Sequence, residues 1–215
     1  MQSFFSPKSI LGRAAIISVA VMTLSGFKLV TNQELEKIRA GDQGPVIDPV
    51  QTFEGISQWA DNKAAPLDQI MQTIDNDGVD AACKQYGIQK SQAFPCTFWV
   101  KYDGTVSKVD TSSRVGRMTL GQTGDKQVNV LIGPVIPGTA VRDGYPEISY
   151  DAFGSQDSFA TFSDELNRQV ESLVKSKGTA SKGKHLMVVG AYATWDGMDN
   201  QIDIVPVRLD TSEGQ

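Results

Sequence analysis

Two polar segments of the chain hold the residues best suited to contact a ligand or a partner. The segment 109–116, VDTSSRVG, surrounds Arg114 with hydroxyl groups between two predicted strands. The segment 132–153 is long and rich in Gly and Pro, and it carries Arg142 and Asp143 in a loop. Long ordered loops in compact domains are often functional. We therefore expect a binding site formed by charged and hydroxyl groups from these loops.

The candidate contacts extend beyond the two loops into the helix that follows them. They are Arg114, Thr139, Arg142, Asp143, Gln156 and Asn167. An aromatic ring, Tyr145 or Trp195, is suited to stacking on a sugar ring. The alternative is purely structural, because ion pairs are common in stable folds. In that case Arg142 pairs with Asp143 or with Asp110 and satisfies a crowded polar corner.

The sequence contains no recognisable catalytic constellation. His185 is the only histidine, and no serine lies in a G-x-S-x-G motif. A Ser-His-Asp hydrolase would therefore have to recruit its base from the start of a predicted strand. Asp and Glu are abundant, but no spacing singles out a pair for acid–base chemistry. We predict a protein that is not an enzyme. The alternatives are a carboxylate-dependent periplasmic hydrolase and a scaffold without a ligand site.

Two motifs resemble cofactor sites only in part. Residues 178–184 match most of a phosphate-binding loop, but His185 stands where Ser or Thr would hold magnesium. The segment also follows a predicted helix and opens a strand, whereas a phosphate-binding loop does the reverse. Residues 75–80 resemble a calcium loop, but Gly78 comes too early and Tyr86 stands at the position of the last glutamate. We predict neither a metal nor a cofactor.

The N-terminus has the pattern of an export signal. Lys8 and Arg13 precede an uncharged, mostly apolar stretch over 14–27, and Lys28 closes it. Positive charges before a short apolar stretch direct the remainder of a chain across the membrane. We therefore place the protein in the periplasm.

The fate of this segment after export is open between two alternatives. Leu24-Ser25-Gly26 usually precedes the lipid-carrying cysteine of a lipoprotein, but Phe27 has no thiol. An ordinary cleavage site is not obvious either, because no A-x-A motif lies at the end of the apolar stretch. An uncleaved anchor on the outer face of the inner membrane is the leading interpretation, and a cleaved signal is the alternative.

The cysteine content and the net charge limit which bonds, metal sites and partners are expected. Cys83 and Cys96 form an even pair in an oxidising compartment, which predicts a disulfide. Two buried free thiols are the alternative, and a metal site would need more ligands than these. The net charge is −5, with acidic and basic residues interspersed. Because no basic stripe exists to neutralise phosphates, nucleic acid is not expected as a partner.

The first half of the chain is predicted to be helical. A short helix over 32–39 and a linker come first, and helical spacing then runs over 50–87. Pro66 suits the first turn of a helix that the DNDG segment, 75–78, brings to an end. A second short helix is expected to stop at Gly87.

After residue 92 the pattern changes to that of short strands. Asp103-Gly104 gives a hairpin signal, and two prolines exclude a regular central strand over 132–138. Residues 157–177 form the strongest predicted helix. Its apolar stripe consists of Phe159, Phe162, Leu166, Val170 and Leu173. Short, mostly antiparallel strands with one inserted helix predict an α+β fold containing a small, partly open OB-like β-barrel.

These patterns divide the chain into three parts. Residues 1–30 are a signal or anchor segment, 31–91 are a helical subdomain, and 92–215 are the OB-like barrel domain with the inserted helix. Without the signal or anchor segment the chain suits one domain or two small ones.

A set of short motifs carries a family resemblance. They are Trp59 with Lys63, Ala82 with Tyr86-Gly87, Phe98-x-Val100-Lys101-x-Asp103-Gly104-x-Val106, VDTSSR at 109–114, Gly133-Pro134, GTAVRD at 138–143, Phe153-x-x-Gln156 with Ala160 and Leu166-Asn167, Gly190-Ala191-Tyr192, and Pro206-Val207. With these motifs, residues 59–210 resemble the DUF2291 family of predicted periplasmic lipoproteins of unknown function.

The resemblance implies an OB-like α/β domain with a small helical domain, and frequent association with sugar ABC transporters of the ribose type. We therefore expect an accessory or binding protein that contacts an ABC transporter or its solute-binding protein, or that binds a small sugar. The resemblance supplies no catalytic residues. The chain departs from the family at Phe27, which replaces the lipidated cysteine, at Ser155, where Asn is usual, and at Phe159, where Tyr is usual.

Overall fold

The computed structural model describes residues 31, 32, 34, 47–177, 182–194 and 200–212. The chain divides into two compact units, Met1–Asp42 and Gln43–Gln215. The predicted signal or anchor segment, 1–30, lies outside the described residues. Within the described ranges, no helix is long and apolar enough to cross a membrane.

The described residues of the first unit form the start of a helix. Thr31 Oγ1 accepts the N–H of Glu34 at 3.2 Å, and Glu34 Oε2 accepts the N–H of Thr31 at 3.1 Å. This reciprocal pair is a capping box, which satisfies two N–H groups that a helix start leaves unpaired. Asn32 and Glu34 are helical, as predicted for 32–39, and the rest of that prediction lies outside the described residues.

Three helices open the second unit. They are α1 (Pro49–Lys63), α2 (Leu67–Asp77) and α3 (Val79–Tyr86). Asp48 caps α1 by accepting the N–H of Val50 at 2.9 Å. Gly78 separates α2 from α3 with φ 88°, a conformation that favours glycine, so the DNDG segment ends α2 as predicted. Pro66 lies at the N-cap of α2, one residue earlier than the predicted first turn.

A single sheet follows the helices. Its strands are β1 (Ala65–Pro66), β2 (Gly87–Ile88), β3 (Cys96–Thr105), β4 (Lys108–Asp110), β5 (Arg117–Thr123), β6 (Lys126–Leu131), β7 (His185–Thr194) and β8 (Gln201–Ser212). The spatial order is β1-β3-β7-β8-β6-β5-β4, and β2 pairs with β3. The β1–β3 and β6–β8 pairs are parallel and the other pairs are antiparallel.

The sheet curls until β3 reaches β5, which corrects the predicted hairpin. Asp103 and Gly104 lie inside β3, and Gly104 is opposite Leu186 of β7. A Cβ on Gly104 would lie 2.7 Å from the carbonyl oxygen of Leu120 on β5. The glycine therefore allows two strands to approach closely and does not form a turn. Tyr102 also bridges the strands, donating to the Gln122 carbonyl at 3.3 Å.

Apolar side chains fill both faces of the sheet. One cluster lies inside the barrel and includes Phe98, Val100 and the apolar face of α2. A second cluster lies under α1 and the long helix α5 (Gln156–Lys177) and includes Trp99. Alternate residues of β3 thus enter opposite clusters, as the two-residue repeat of a strand requires. Helix α2 shares the first cluster with the barrel strands. The predicted boundary at residue 91, between a helical subdomain and the barrel domain, stays a prediction.

Helix α5 and the loop before it match the predictions with small shifts. The helix begins one residue earlier than predicted, at Gln156. Phe162, Leu166 and Val170 are buried as expected, but the stripe continues to Val174 and not to Leu173, which is half-buried. The proline-rich residues 132–138 form no strand, as predicted, and the loop then holds the short helix α4 (Ala140–Asp143) and a 3₁₀ turn (Tyr150–Ala152).

The predicted disulfide is present. Cys83 on α3 and Cys96 at the start of β3 are bonded, with 6.0 Å between their Cα atoms. The alternative of two free thiols is therefore wrong. The bond joins the helical layer directly to the first residue of the strand that borders both clusters.

Candidate functional site

A cleft of about 590 Å³ opens at one end of the barrel. Its walls are the start of β3, the end of β7, the start of β8 and the loop that leads into α4. Its main polar lining residues are Thr97, Arg117, Thr139, Asp143, Gln201 and Asp203. Leu131, Val205 and Tyr192 supply apolar surface between them. A concave site with a few convergent polar groups on an apolar wall is the usual form of a small-molecule site.

One wall of the cleft carries a buried ion pair. Arg142 donates to Asp143 Oδ1 from Nε and from Nη2, each at 2.8 Å. Arg142 is 7% exposed and Asp143 is 9% exposed. The guanidinium lies over the ring of Phe159, 3.8 Å from its centroid. The ring and the carboxylate fix the arginine, so the pair presents Asp143 to the cleft in one geometry.

This geometry decides between the two predicted partners of Arg142. Asp110 accepts hydrogen bonds from Ser112 and Lys108 in the loop where it lies. The bond from the Ser112 hydroxyl, followed by that from Lys108, holds the pKa of Asp110 below its ordinary value. Arg142 pairs with Asp143, and Asp110 belongs to a separate exposed turn.

The loop before α4 is held from the long helix. Asn167 of α5 donates from Nδ2 to the carbonyls of Gly138, at 2.9 Å, and Ile136, at 3.1 Å. Gly138 has φ 76°, a backbone conformation that other residues rarely adopt. Thr139 then donates to Asp143 Oδ2 at 2.5 Å. The segment between 136 and 143 is therefore fixed by side-chain contacts at both ends.

Lys90 holds the same loop on the far side of α4. Its ammonium group donates to the carbonyls of Tyr145 at 2.8 Å, Ile148 at 2.9 Å and Pro146 at 3.3 Å. Burial lowers the pKa of Lys90, and the negative charge of Asp143 partly opposes that effect. No sequence motif marks this lysine, because its partners are backbone atoms in a distant part of the chain.

Gly144 sits between α4 and the floor of the cleft. Trp99 Nε1 donates to its carbonyl at 2.6 Å. A Cβ at this position would lie 2.7 Å from Thr97 Cγ2 and 2.9 Å from Trp99 Nε1. The glycine therefore lets α4 rest directly on β3.

A second ion pair, which the sequence did not reveal, lines the cleft from the strands. Arg117 Nη2 donates to Asp203 Oδ2 at 2.7 Å, and Nε lies 3.0 Å from both carboxylate oxygens. Asn129 donates to Asp203 at 3.1 Å and accepts from Thr119 at 2.8 Å. The hydrogen bond with Asp203 raises the pKa of Arg117, so the guanidinium stays charged.

One signal for this network is visible once the strand order is known. Asn129 lies opposite Thr119 on one side and opposite Asp203 on the other. In β6 and β8, polar residues alternate with Val and Ile, which places Asn129 and Asp203 on the same face. The partners come from separate strands, so the sequence alone does not join them.

The six predicted site residues divide into two groups. Thr139 and Asp143 line the cleft, Arg142 pairs with Asp143 but does not line it, and Asn167 holds the loop that carries all three. Arg114 is exposed and contributes its backbone carbonyl, which accepts the N–H of Val135 at 3.1 Å. Gln156 is exposed at the first position of α5 and does not line the cleft.

Of the two predicted stacking residues, the structure describes only Tyr145, and it does not line the cleft. Tyr145 packs edge-on against Trp59, with 5.4 Å between ring centroids, and donates to Glu147 at 2.9 Å. Trp195 lies outside the described residues. Among the described residues, Tyr192 is the aromatic side chain that lines the cleft, and its ring stacks on that of Phe98.

His185 has no part in the cleft. It is the first residue of β7, where its Nε2 lies 2.6 Å from Asp103 Oδ1, whereas Thr194 at the cleft is the last residue of the same strand. The two ends of an extended strand of this length lie about 30 Å apart. Among the described residues, no group of three or more His, Cys, Asp or Glu side chains is arranged to hold a metal ion.

A family model for predicted periplasmic lipoproteins, DUF2291, matches residues 17–210. The chain belongs to the DUF2291 family. No curated protein matches it. The crystal structure of an OB-fold protein (tm0957) from Thermotoga maritima is similar over 78% of this chain and 100% of that chain, with a TM-score of 0.61 and 14% identity. This likeness confirms the predicted OB-like fold.

This DUF2291 member differs from a typical lipoprotein in its cysteines. The 215 residues contain only Cys83 and Cys96, and the two are bonded to each other. Neither thiol is therefore available for attachment of a lipid, in agreement with the Phe found at position 27.

Proposed function

We propose that this DUF2291 protein is a non-enzymatic accessory protein at the periplasmic face of the inner membrane, and that it binds a ligand or a partner in the cleft beside Asp143. The observation that carries the proposal is the buried Arg142–Asp143 pair at the cleft wall. Burying an ion pair costs free energy of desolvation. The loop that carries this pair forms part of the wall of the cleft. A polar corner that served stability alone would not need that surface.

The rigidity of the loop supports a binding role. Asn167 holds it from α5, and Lys90 and Trp99 hold it from the other side. A site whose groups are fixed before binding loses less conformational freedom when a ligand arrives. Functional loops are commonly positioned in this way by a rigid scaffold.

The proposed link is to a sugar ABC transport system. It rests on the family resemblance of the GTAVRD segment, 138–143, and on the export signal before residue 28. The protein would contact the transporter or its solute-binding protein, or deliver a sugar-like solute to them. A periplasmic position beside the membrane suits each of these roles.

Membrane attachment through the peptide itself is part of the proposal. The apolar stretch 14–27 would stay as an uncleaved anchor, because no lipidated cysteine can replace it. Mass spectrometry of the membrane-extracted protein tests this directly. The full translated mass supports the anchor, and a mass that lacks the segment up to about position 27 refutes it.

Uptake measurements test the functional proposal. In the native host, strains carrying wild-type protein, Thr139→Val or Thr161→Val are compared for uptake of radiolabelled neutral sugars. Thr139 donates to Asp143 at the cleft, whereas Thr161 is exposed on α5. We expect reduced uptake of at least one sugar only for Thr139→Val. Equal uptake in all three strains, at equal protein levels, would contradict the proposal.

A carboxylate-dependent hydrolase is the second candidate, because Asp143 and Asp203 line the same cleft. The arginine partners weigh against it, since each carboxylate already accepts charged hydrogen bonds and an acid–base catalyst must exchange a proton. Incubating the purified protein with aryl glycosides separates the two candidates. Turnover that disappears in both Asp143→Asn and Asp203→Asn would establish the hydrolase.

A further inference from the structure

Among the described residues, the charged side chains in the cleft wall and directly behind it form two ion pairs. Asp143 is paired with Arg142, and Asp203 is paired with Arg117. The formal charges of these four described residues sum to zero. An anionic ligand would meet two carboxylates, and a cationic ligand would meet Arg117, which is 38% exposed in its side chain. Like charges brought together at a desolvated site oppose binding.

The paired groups still have hydrogen-bonding capacity for a ligand. Asp203 engages Nε and Nη2 of Arg117, and a guanidinium carries five N–H donors in all. A carboxylate such as that of Asp143 has about four acceptor positions, of which Thr139 and Arg142 use only part. The cleft thus offers donors and acceptors side by side. A hydroxyl group, which donates and accepts, matches both kinds of group.

Thr97 provides an independent indication of a ligand. It lines the cleft, is 1% exposed, and its Oγ1 has no hydrogen-bond partner among the described residues. Its methyl group faces Gly144, where an added Cβ would lie 2.7 Å away. Buried hydroxyl groups without a partner are rare in folded proteins because they lose their bonds to water. A ligand hydroxyl or amide would supply the partner.

We infer that the cleft binds an uncharged small molecule rich in hydroxyl groups, and that the Thr97 hydroxyl is one of its direct contacts. This inference rests on the proposed function, because it requires the cleft to be a binding site. It goes further by excluding sugar acids, sugar phosphates and amino sugars as preferred ligands. It also assigns the contact to β3, outside the GTAVRD segment, 138–143.

Calorimetric titration of the full chain in detergent tests the ligand class. A panel of neutral aldopentoses and aldohexoses is used, together with D-galacturonate and D-glucosamine as charged counterparts of D-galactose and D-glucose. We expect at least one neutral sugar to bind, and each charged counterpart to bind more weakly than its neutral form. A charged probe that binds more tightly than its neutral form overturns the inference and leaves the binding role of the cleft intact.

Two substitutions test the assigned contact. Thr97→Val preserves shape and removes the hydroxyl, so it should weaken sugar binding about tenfold, the effect of losing one hydrogen bond. Its melting temperature should not fall, because the hydroxyl has no partner within the described residues. Ser163→Ala is the matched control. Ser163 is also buried, its hydroxyl likewise lacks a partner in the described part of the chain, and it lies outside the cleft.

Unchanged affinity in Thr97→Val, or an equal loss in Ser163→Ala, overturns the assignment of Thr97. Binding of no member of the panel overturns the whole inference. The uptake of sugars by the Thr139→Val strain then tests the proposed function separately, since a partner protein bound in the cleft would still make that strain defective.

Discussion

Gly87 leaves the space that the sulfur of Cys96 occupies. A Cβ at position 87 would lie 2.2 Å from Cys96 Sγ, which is closer than any real contact. The backbone of Gly87 has φ −100°, an ordinary extended value, so its dihedral angle does not require glycine. The disulfide itself requires it. The residue predicted as a helix stop is therefore also needed for the covalent bond between α3 and β3.

Gly87→Ala should strain or prevent the disulfide. We expect a loss of about 3 kcal/mol in the free energy of unfolding, close to the value of a disulfide that closes a short loop. Urea denaturation with free-thiol quantification checks it. Gly55→Ala is the control, because Gly55 lies within α1 with nothing near its Cβ position. That change should leave the thiols paired and stabilise the protein by roughly 0.5–1 kcal/mol.

Arg142→Ala should destabilise the protein by about 3–5 kcal/mol, because it leaves the carboxylate of Asp143 buried without its partner. The free energy of unfolding in urea measures the loss. Arg168→Ala removes an exposed arginine that pairs with Glu165 on α5, and it should cost no more than about 1 kcal/mol. Similar losses in the two variants would show that the buried pair contributes no more to stability than an exposed pair does.

The double variant Arg142→Met with Asp143→Asn separates stability from binding. Removing both charges should recover much of the stability lost in Arg142→Ala, since no buried charge is left unpaired. Sugar binding should stay impaired, because the amide of Asn replaces a carboxylate with two acceptor oxygens by a group with only one. Recovery of both properties would assign a purely structural role to the pair.

Lys90→Met should loosen the loop between α4 and the 3₁₀ turn. The change removes three hydrogen bonds to the carbonyls of Tyr145, Pro146 and Ile148. Bonds from a charged donor stabilise by roughly 1.5–3 kcal/mol, so local opening should become at least tenfold more frequent. Hydrogen exchange of peptides covering 140–150 measures it. Lys84→Met, on the exposed face of α3, should leave that exchange unchanged.

Tyr102 should make stability depend on alkaline pH. Burial, aided by the charge of Asp68, raises the pKa of Tyr102 above its ordinary 10.0. The unfolded chain then loses the phenol proton at lower pH than the folded chain. Between the two pKa values the folded state binds more protons, so the free energy of unfolding falls as the pH rises above 10.

Urea denaturation at pH 8 and at pH 10.5 tests this dependence on wild-type protein and on Tyr102→Phe. The wild-type protein should lose more stability between the two pH values than the variant does. An equal loss in both proteins would mean that the phenol of Tyr102 ionises normally and that other groups control alkaline unfolding.

Much of the fold is predictable because its signals are local. The apolar stripe of α5, the DNDG break and the prolines of 132–138 each act on residues within one or two turns of themselves. The Asp103-Gly104 signal failed for the opposite reason. Gly104 is required by the backbone of Leu120 on another strand, and this contact is not visible as a local pattern.

In the candidate site, too, the sequence indicates residues that are close together in the chain and misses those that come from separate strands. Thr139, Arg142 and Asp143 stood out because they lie together in one unusual loop. Arg117 and Asp203 did not, because 86 residues separate them and only the parallel pairing of β6 with β8 makes them neighbours. Thr97 resembles any threonine in a strand, and only its buried hydroxyl distinguishes it.

The covalent bridge between Cys83 and Cys96 also has a consequence for how the protein matures. The bridge ends at Cys96, between two residues that line the cleft, Pro95 and Thr97. Cells oxidise such thiols outside the cytosol, where reductants keep newly made chains unbonded. If the protein is exported as proposed, we expect this bridge to form only after translocation, so that a precursor inside the cell would carry two free thiols beside Pro95 and Thr97.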